Sequence, residues 1–362
     1  MFKTIAKTTI LRYTNSMKVL AIETSCDETG IAIVEGEKIS DGFSFTVHKN
    51  VLLSQAALHA EFGGVYPNLA KREHQKNLPV LYEQFKDEVV DAIAVTQGPG
   101  LEPALWTGIE FAKKVAAERG VPLLPTNHME GHLISSLVQN GKLEKVELPV
   151  LALLVSGGHT EFVLMESWFK YEVIGETLDD AVGEAFDKVA RMLGLAYPGG
   201  PEISKYASQA REQGLTLLKT LPRPMLRSDN CDVSFSGLKT AALYALRGKE
   251  LSEDEKKAFA REFEDAVTEV FLVKTKRALE ETDAKTFVIG GGVAANTYLR
   301  EKLKAVVKSA FAEVDFLLPE RSITGDNAIM IAEAALARRL SGLDDSDQGD
   351  FRAVGNLSIE KD

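Results

Sequence analysis

The stretch VLAIETSCDETGIAIV (residues 19–34) has a counterpart in LALLVSGGHTEFVLM (residues 151–165). Each is an apolar run, a short turn of Ser, Thr, Gly or Asp, and a second apolar run. That is the pattern of a β-hairpin. A second pair follows in the same order: DAIAVTQGPGLEPALWTG (91–108) and KTFVIGGGVAANTYLRE (285–301) each read as strand, glycine-rich turn and helix. Chance can produce one such echo between short apolar strands. Two in one order indicate a duplicated α/β domain with a cleft between two lobes. Glycine turns and helix N-termini facing that cleft suit a nucleotide.

Outward from these echoes, apolar runs predict strands at Lys18–Ile22, Gly30–Val34, Ala92–Thr96, Val150–Val155, Thr160–Met165 and Phe287–Gly290. Helical periodicity predicts Thr107–Glu118, Asp180–Leu193, Lys257–Glu281, Asn296–Phe311 and Asp326–Leu340. The expected division is a first lobe at 17–127, completed by a C-terminal helix at about 326–345, a second lobe at 128–325, and an acidic tail at 346–362. Residues 1–16 hold Lys3, Lys7 and Arg12 and no acid. They read as an extension ahead of a start at Met17, or as a transit segment. The expected location is accordingly the cytoplasm, or the mitochondrial matrix if that segment is a transit peptide.

A chain of 362 residues, 45% hydrophobic and 26% charged, is long enough for two domains with sizeable cores. No apolar run reaches the roughly 18 residues of a membrane span, and no membrane partner is expected. Two cysteines, Cys26 and Cys231, exclude a disulfide framework and a four-cysteine zinc site. Forty-two basic against fifty-three acidic residues give a net charge of −11, which argues against a globally basic nucleic-acid binder. Any RNA contact has to be local or shared with a partner. The local candidates are Lys71-Arg72 with His74 and Lys76, Arg223 with Arg227, and Lys274 with Lys276-Arg277.

Two glycine-rich turns carry the nucleotide reading. Ser156-Gly-Gly-His-Thr160 lets backbone N–H groups approach a phosphate or ribose, and Gly290-Gly-Gly292 leads to a helix start near Asn296. Neither is a P-loop or a dinucleotide fingerprint. His128 and His132 stand at i and i+4, on one helical face and within reach of one ion. Glu130 lies two residues on, away from that face, so the zincin arrangement is not met. Asp326 offers a third ligand, its alternative role being a helix cap, and the alternative for the histidines is an ordinary satisfied pair. Two imidazoles and one carboxylate suit a catalytic Fe(II) or Zn(II) site with open positions.

Other residues have two readings each. Glu23, Asp27 and Glu28 sit in the first hairpin turn, where acids are common because they are solvated. Asp179, Asp180, Glu184 and Asp187 surround a helix start. Tyr197-Pro-Gly-Gly-Pro201 reads as a rigid turn with room for a flat ligand, and Ser234-Phe-Ser-Gly-Leu-Lys239 as a ligand anchor or a helix cap. Cys26 is a nucleophile only if a histidine approaches it, and otherwise a buried small residue.

ETSCDETG (23–30), HMEGH (128–132), LVSGGHT (154–160), GEAFDKVAR (183–191), YPGGP (197–201), SFSGLK (234–239), GGVAAN (291–296) and TGDNA (324–328) occur in the order of one family. The chain resembles the bacterial-type tRNA N6-adenosine threonylcarbamoyltransferases, once described as O-sialoglycoprotein endopeptidases, from Met17 to about Leu340. The resemblance implies an actin-like, sugar-kinase-like two-lobed fold and one divalent metal ion, iron or zinc, on His128, His132 and Asp326. It implies contacts to threonylcarbamoyl-adenylate from Leu154, Val155, Ser156, Gly157, Gly158, Asp187, Gly200 and Asn296. Where family members often carry an aspartate after the YPGGP turn, Ser204 stands here. The implied reaction moves the threonylcarbamoyl group to N6 of adenosine 37 in tRNA. For steering or accepting the amine proton, the residues themselves offer Asp27 or Glu28. The implied partners are tRNA and a smaller paralogue with a small ATPase, the alternative being a homodimer. An actin-fold kinase and a metalloprotease are the rival readings.

Overall fold

Val19-Leu-Ala-Ile22 is apolar at every position because the strand it forms is covered on both faces. Val19 and Ala21 point into one core, Leu20 and Ile22 into another. The same alternation divides Val150, Ala152 and Leu154 from Leu151, Leu153 and Val155, as a two-residue period requires. The computed structural model describes residues 15–343 and 351–360. Most of the expected N-terminal extension and part of the expected acidic tail therefore lie outside the described residues.

The first half runs β1 (Ser16–Glu23), β2 (Glu28–Ile39), β3 (Gly42–Ser54), α1 (Ala56–His59), α2 (Pro67–Tyr82), β4 (Ala92–Gly98), α3 (Glu102–Arg119), β5 (Leu123–Asn127), α4 (His128–Leu137) and β6 (Lys142–Glu144). The second runs β7 (Val150–Val155), β8 (Thr160–Ser167), β9 (Lys170–Glu176), α5 (Val182–Met192), α6 (Gly199–Glu212), α7 (Ser236–Leu246), α8 (Glu253–Thr282), β10 (Thr286–Gly290), α9 (Thr297–Ala310), β11 (Asp315–Leu317) and α10 (Ala328–Leu340). The first sheet has the order β5-β4-β1-β2-β3-β6 and the second β11-β10-β7-β8-β9. Apart from the short β6 the two orders correspond strand for strand. So do the directions: β1–β2 and β7–β8 are antiparallel, β1–β4 and β7–β10 parallel. The duplication expected from the two echoes is present in the fold.

The layers are crossed. α4 follows the first sheet in sequence yet packs on β7 and β10 of the second, while α10 follows the second sheet and packs on β1 and β2 of the first. Both helices lie in one shared core between the sheets, with Met129, Leu133 and Ile134 of α4 against Met330, Ile331 and Leu336 of α10. That burial explains why α10 is apolar at most positions rather than striped, every residue from Ala328 to Ala337 being buried. α2 and α3 cover the outer face of the first sheet, and α5, α7 and α8 the outer face of the second.

Residues 351–360 return across the molecule. Phe351 and Ala353 enter the outer core of the first sheet and Ile359 enters the shared core. Between them Val354 N–H donates to the Gln97 carbonyl at 3.0 Å, and Gly100 N–H donates to the Gly355 carbonyl at 3.0 Å. Among the described residues no helix is long and apolar enough to cross a membrane.

Candidate functional site

α4 starts at His128 because Asn127 caps it. The Asn127 side-chain oxygen accepts from the N–H groups of Met129 (2.8 Å) and Glu130 (3.2 Å). Its amide donates in turn to the Ser358 carbonyl at 2.8 Å. His128 and His132, one turn apart on the buried face, hold their rings edge to face with centroids 4.7 Å apart. Asp326 arrives from the loop before α10. It does not cap that helix, because Asn327 does, accepting from Met330 N–H at 3.1 Å. The Asp326 carboxylate is left to face the imidazoles, with Oδ1 at 3.1 Å from His132 Nε2 and 3.4 Å from His128 Nε2. One ligand atom from each of the three residues falls within 4.8 Å of the others.

These residues fit a metal ion. Bonds of about 2.0–2.2 Å in tetrahedral geometry separate neighbouring ligand atoms by roughly 3.3 Å, close to the 3.1 and 3.4 Å separations found. Glu23, at the end of β1, backs the arrangement: its Oε2 lies 3.3 Å from His128 Nδ1 and accepts from the Thr96 hydroxyl at 2.5 Å. A carboxylate on the far ring nitrogen fixes the tautomer and aim of a ligating histidine. Burial opposes charge on His128, but Asp326 and Glu23 outweigh it and push its pKa up to about 10. Burial alone would also raise Glu23 and Asp326, yet His128 holds both below the usual carboxylate range. His132 is lowered, chiefly by burial.

The glycine turns flank this cluster. Ser156 N–H donates to the His159 carbonyl at 2.8 Å and His159 N–H to Ser156 Oγ at 3.1 Å, closing a tight turn. Gly157 and Gly158 at its tip face open space. The second turn approaches from behind: Gly291 has φ +87°, and a Cβ there would stand 2.4 Å from the Val155 carbonyl oxygen. α5 meets the first turn at Gly183, where a Cβ would stand 2.6 Å from the Ser156 carbonyl oxygen. Four residues along α5, Asp187 Oδ1 accepts from Gly199 N–H at 2.7 Å, and Gly200 beside it faces open space. Asn296 caps α9, accepting from Leu299 N–H at 2.9 Å, and its amide donates to Ser204 on α6 at 2.8 Å. Leu154–Gly158, Asp187, Gly200 and Asn296 are thus linked through neighbouring elements of the second half.

Asp27 and Glu28 enter from the first sheet. Burial, then Asp27, pushes Glu28 up to about 9. Tyr197 lies among groups from both halves, its phenol pushed up by burial and then by Asp27 and Asp187. Beside the first glycine turn a cavity of about 500 Å³ opens between the second sheet and residues 355–360, with His159, Glu161, Glu176 and Asp232 in its wall. Burial lowers His159 to about 4 and raises Glu161 to about 7.

Several residues sit differently from the sequence expectation. Glu23 is fully buried rather than solvated in a turn. The position signals this: Glu23 ends a strand apolar on both faces, where a charge needs partners. His74 is not part of a basic face. It is buried on α2, with Nδ1 2.8 Å from the Thr29 hydroxyl and Nε2 3.0 Å from the Cys26 carbonyl, and it braces the first hairpin turn. Arg223 reaches Glu262 and Glu269, and the buried Lys274 donates to Ser228 and to the Asn230 carbonyl. Neither is left for a phosphate. Cys26 has its thiol pushed well up by burial and then by Asp27, against a role as nucleophile. At Ser234-Phe-Ser236 the start of α7 is tied to Asp179, which accepts from both hydroxyls and from the N–H groups of Phe235 and Ser236. YPGGP is more than a turn, because α6 begins within it at Gly199. Glu130, out of register for a zincin base, accepts from the Tyr171 hydroxyl at 2.8 Å and pairs with Arg338 at 2.6 Å.

A family model described as tRNA N6-adenosine threonylcarbamoyltransferase (TsaD) matches residues 46–333. Among solved structures, full-length HypF in a phosphate- and nucleotide-bound form is similar at 15% identity, covering 90% of this chain and 46% of that one, with a TM-score of 0.54. HypF from T. kodakarensis gives 14% identity, 90% and 48% coverage, and a TM-score of 0.54. A ROK family protein from Streptococcus pneumoniae TIGR4, in complex with sucrose, gives 12%, 90% and 99%, with 0.46. The chain spans about half the length of the HypF structures it matches. At 14–15% identity the likeness to HypF is one of fold, and with the paired sheets it gives the actin-like, sugar-kinase-like architecture.

Proposed function

Because the chain belongs to the tRNA N6-adenosine threonylcarbamoyltransferase family, we propose that it moves the threonylcarbamoyl group from threonylcarbamoyl-adenylate to N6 of adenosine 37 in tRNAs reading ANN codons. The observation that carries the reading is the convergence of His128, His132 and Asp326 at one point between the sheets. In this reading those three hold one divalent ion, Fe(II) or Zn(II), and Glu23 orients His128 from behind. The ion, when bound, supplies Lewis-acid stabilisation of charge on carbonyl or phosphate oxygens.

The chain's own residues do the rest. Open backbone at Ser156, Gly157 and Gly158, with Leu154 and Val155 behind it, receives the phosphate side of the adenylate. Asp187, Gly200 and Asn296 receive its nucleoside. Fixing the adenylate there makes attack effectively intramolecular. The adenosine amine attacks the carbamoyl carbon, the bond from that carbon to the phosphate oxygen breaks, and AMP leaves. The proton from the amine goes to Asp27 or Glu28, the two acids that the first hairpin turn brings to the site.

The −11 charge and the acids around the cavity disfavour a polyanion. The reading therefore has tRNA held with help from partners: a smaller paralogue and a small ATPase, or a second copy of the chain. Residues 17–127 with α10 form one lobe in this reading and 128–325 the other, apart from β6, which pairs with β3 in the first sheet; the location is the cytoplasm or the mitochondrial matrix. The kinase reading makes no use of the histidine pair, and the protease reading lacks its base.

The test is a transfer assay with threonylcarbamoyl-adenylate and unmodified tRNA, run beside metal analysis. His128→Ala and His132→Ala are expected to lose bound metal and transfer together while remaining folded. Full transfer by a metal-free double variant overturns the metal role, and wild-type protein with no transfer in the presence of its partners overturns the activity.

A further inference from the structure

Asn296 has no amide proton left for a ligand. Its Nδ2 donates to Ser204 Oγ at 2.8 Å and to Glu264 Oε1 at 2.7 Å, while its Oδ1 accepts from Leu299 N–H at 2.9 Å. Ser204 Oγ donates to the same Glu264 oxygen at 2.8 Å. Glu264 itself is 1% exposed on α8. Its second oxygen pairs with Arg211 of α6, which also reaches Asp265 at 2.6 Å and lies over the Tyr298 ring at 3.4 Å. One buried carboxylate thus ties together α6, α8 and the N-terminus of α9.

Such an acceptor decides which way the neighbouring amide and hydroxyl point. Flipping the Asn296 amide would set its oxygen against Glu264 and its NH₂ against the Leu299 N–H, two repulsions in a buried site. Rotating the Ser204 hydroxyl would forfeit a charge-assisted bond. In the fixed orientation both side chains offer only lone pairs: the second on Asn296 Oδ1 and one on Ser204 Oγ. Gly200, one turn before Ser204 on α6, lies under open space. A surface with acceptors alone selects a ligand that brings donors, and a nucleoside brings them in its ribose hydroxyls.

We infer that Glu264 is a positioning residue which, through Asn296 and Ser204, makes the α6–α9 corner a pair of hydrogen-bond acceptors for a ribose. The inference rests on the nucleotide reading of this site. It adds a determinant, a carboxylate that never touches the ligand, and a specificity, ribose over deoxyribose.

The probe is AMP against 2′,3′-dideoxy-AMP, measured by calorimetry on the wild-type chain and on Glu264→Gln, Ser204→Ala and the double variant S204D/E264Q. Arg211 keeps Asp265 in E264Q, so the ion pair beneath the site survives. The wild type is expected to prefer AMP. E264Q is expected to weaken AMP by about three- to tenfold, the scale of one neutral hydrogen bond, and to leave dideoxy-AMP unchanged. In the transfer assay the same variant raises KM for the adenylate with little change in kcat. S204D/E264Q returns a carboxylate to Asn296 and restores the preference. Equal AMP binding by wild type and E264Q overturns the inference, as does equal loss of AMP and dideoxy-AMP. Should E264Q not fold, S204A decides: a several-fold loss of the AMP preference supports the inference and an unchanged preference overturns it. A wild type that binds neither nucleotide overturns the nucleotide reading itself, and the inference with it.

Discussion

Glu333, in the middle of α10, is a carboxylic acid in the shared core. Its Oε2 is buried without a hydrogen-bond partner, and burial pushes its pKa from 4.5 up to about 8. A folded-state pKa above the unfolded one means stability that is complete below pH 4.5 and is lost as the pH rises towards 8. The ceiling is on the order of 5 kcal/mol at 1.36 kcal/mol per pH unit. Glu333→Gln is expected to melt higher than the wild type at pH 8 and to converge with it near pH 4.5; parallel Tm curves across that range would exclude this account. Such a residue cannot be found in the sequence, where Ala332-Glu-Ala334 looks like an exposed position on an amphipathic helix. The histidine pair was legible, because i and i+4 fix a shared face whatever the helix packs against. Asp326 was legible as a candidate only, since its freedom from capping depends on Asn327 doing that work. Glu23 was read as a solvated turn acid because its partners in space, Thr96 and His128, are remote in sequence.

The elements legible in the sequence were those with one uniform environment. β7 runs Val150–Val155 as read, and α10 covers nearly the predicted span. β3 was missed because its second half is largely exposed and its apolar alternation fades after Phe45. α2 was missed because its buried stripe of Ala70, His74, Leu78 and Leu81 is interrupted by a histidine. How α4 and α10 touch was beyond reach. A Cβ on Gly131 would meet Ile331 Cδ1 at 3.2 Å and Met330 Cγ at 3.3 Å, so the helices cross at the residue between the turns that carry His128 and His132. Gly131→Val is expected to cost about 1–3 kcal/mol by overpacking. It should also weaken zinc binding, because α4 and α10 bring the ligands together. Unchanged zinc affinity in a destabilised variant would separate packing from the site.

At the scale of the molecule, each half of the chain lends its final helix to the other. The inner face of the first sheet, with Val19, Ala21, Ala32 and Val34, is covered by α10, and that of the second by α4. Residues 1–149 alone are expected to show no cooperative unfolding transition, and to regain one when co-expressed with residues 150–362. A cooperative transition in the isolated fragment would mean that the first sheet is stable without its lid. The exchange also has a bearing on synthesis. As the chain leaves the ribosome, its first sheet waits with an oily face open until the stretch around α10 has been made, so the first half cannot close its interior before the second is nearly complete.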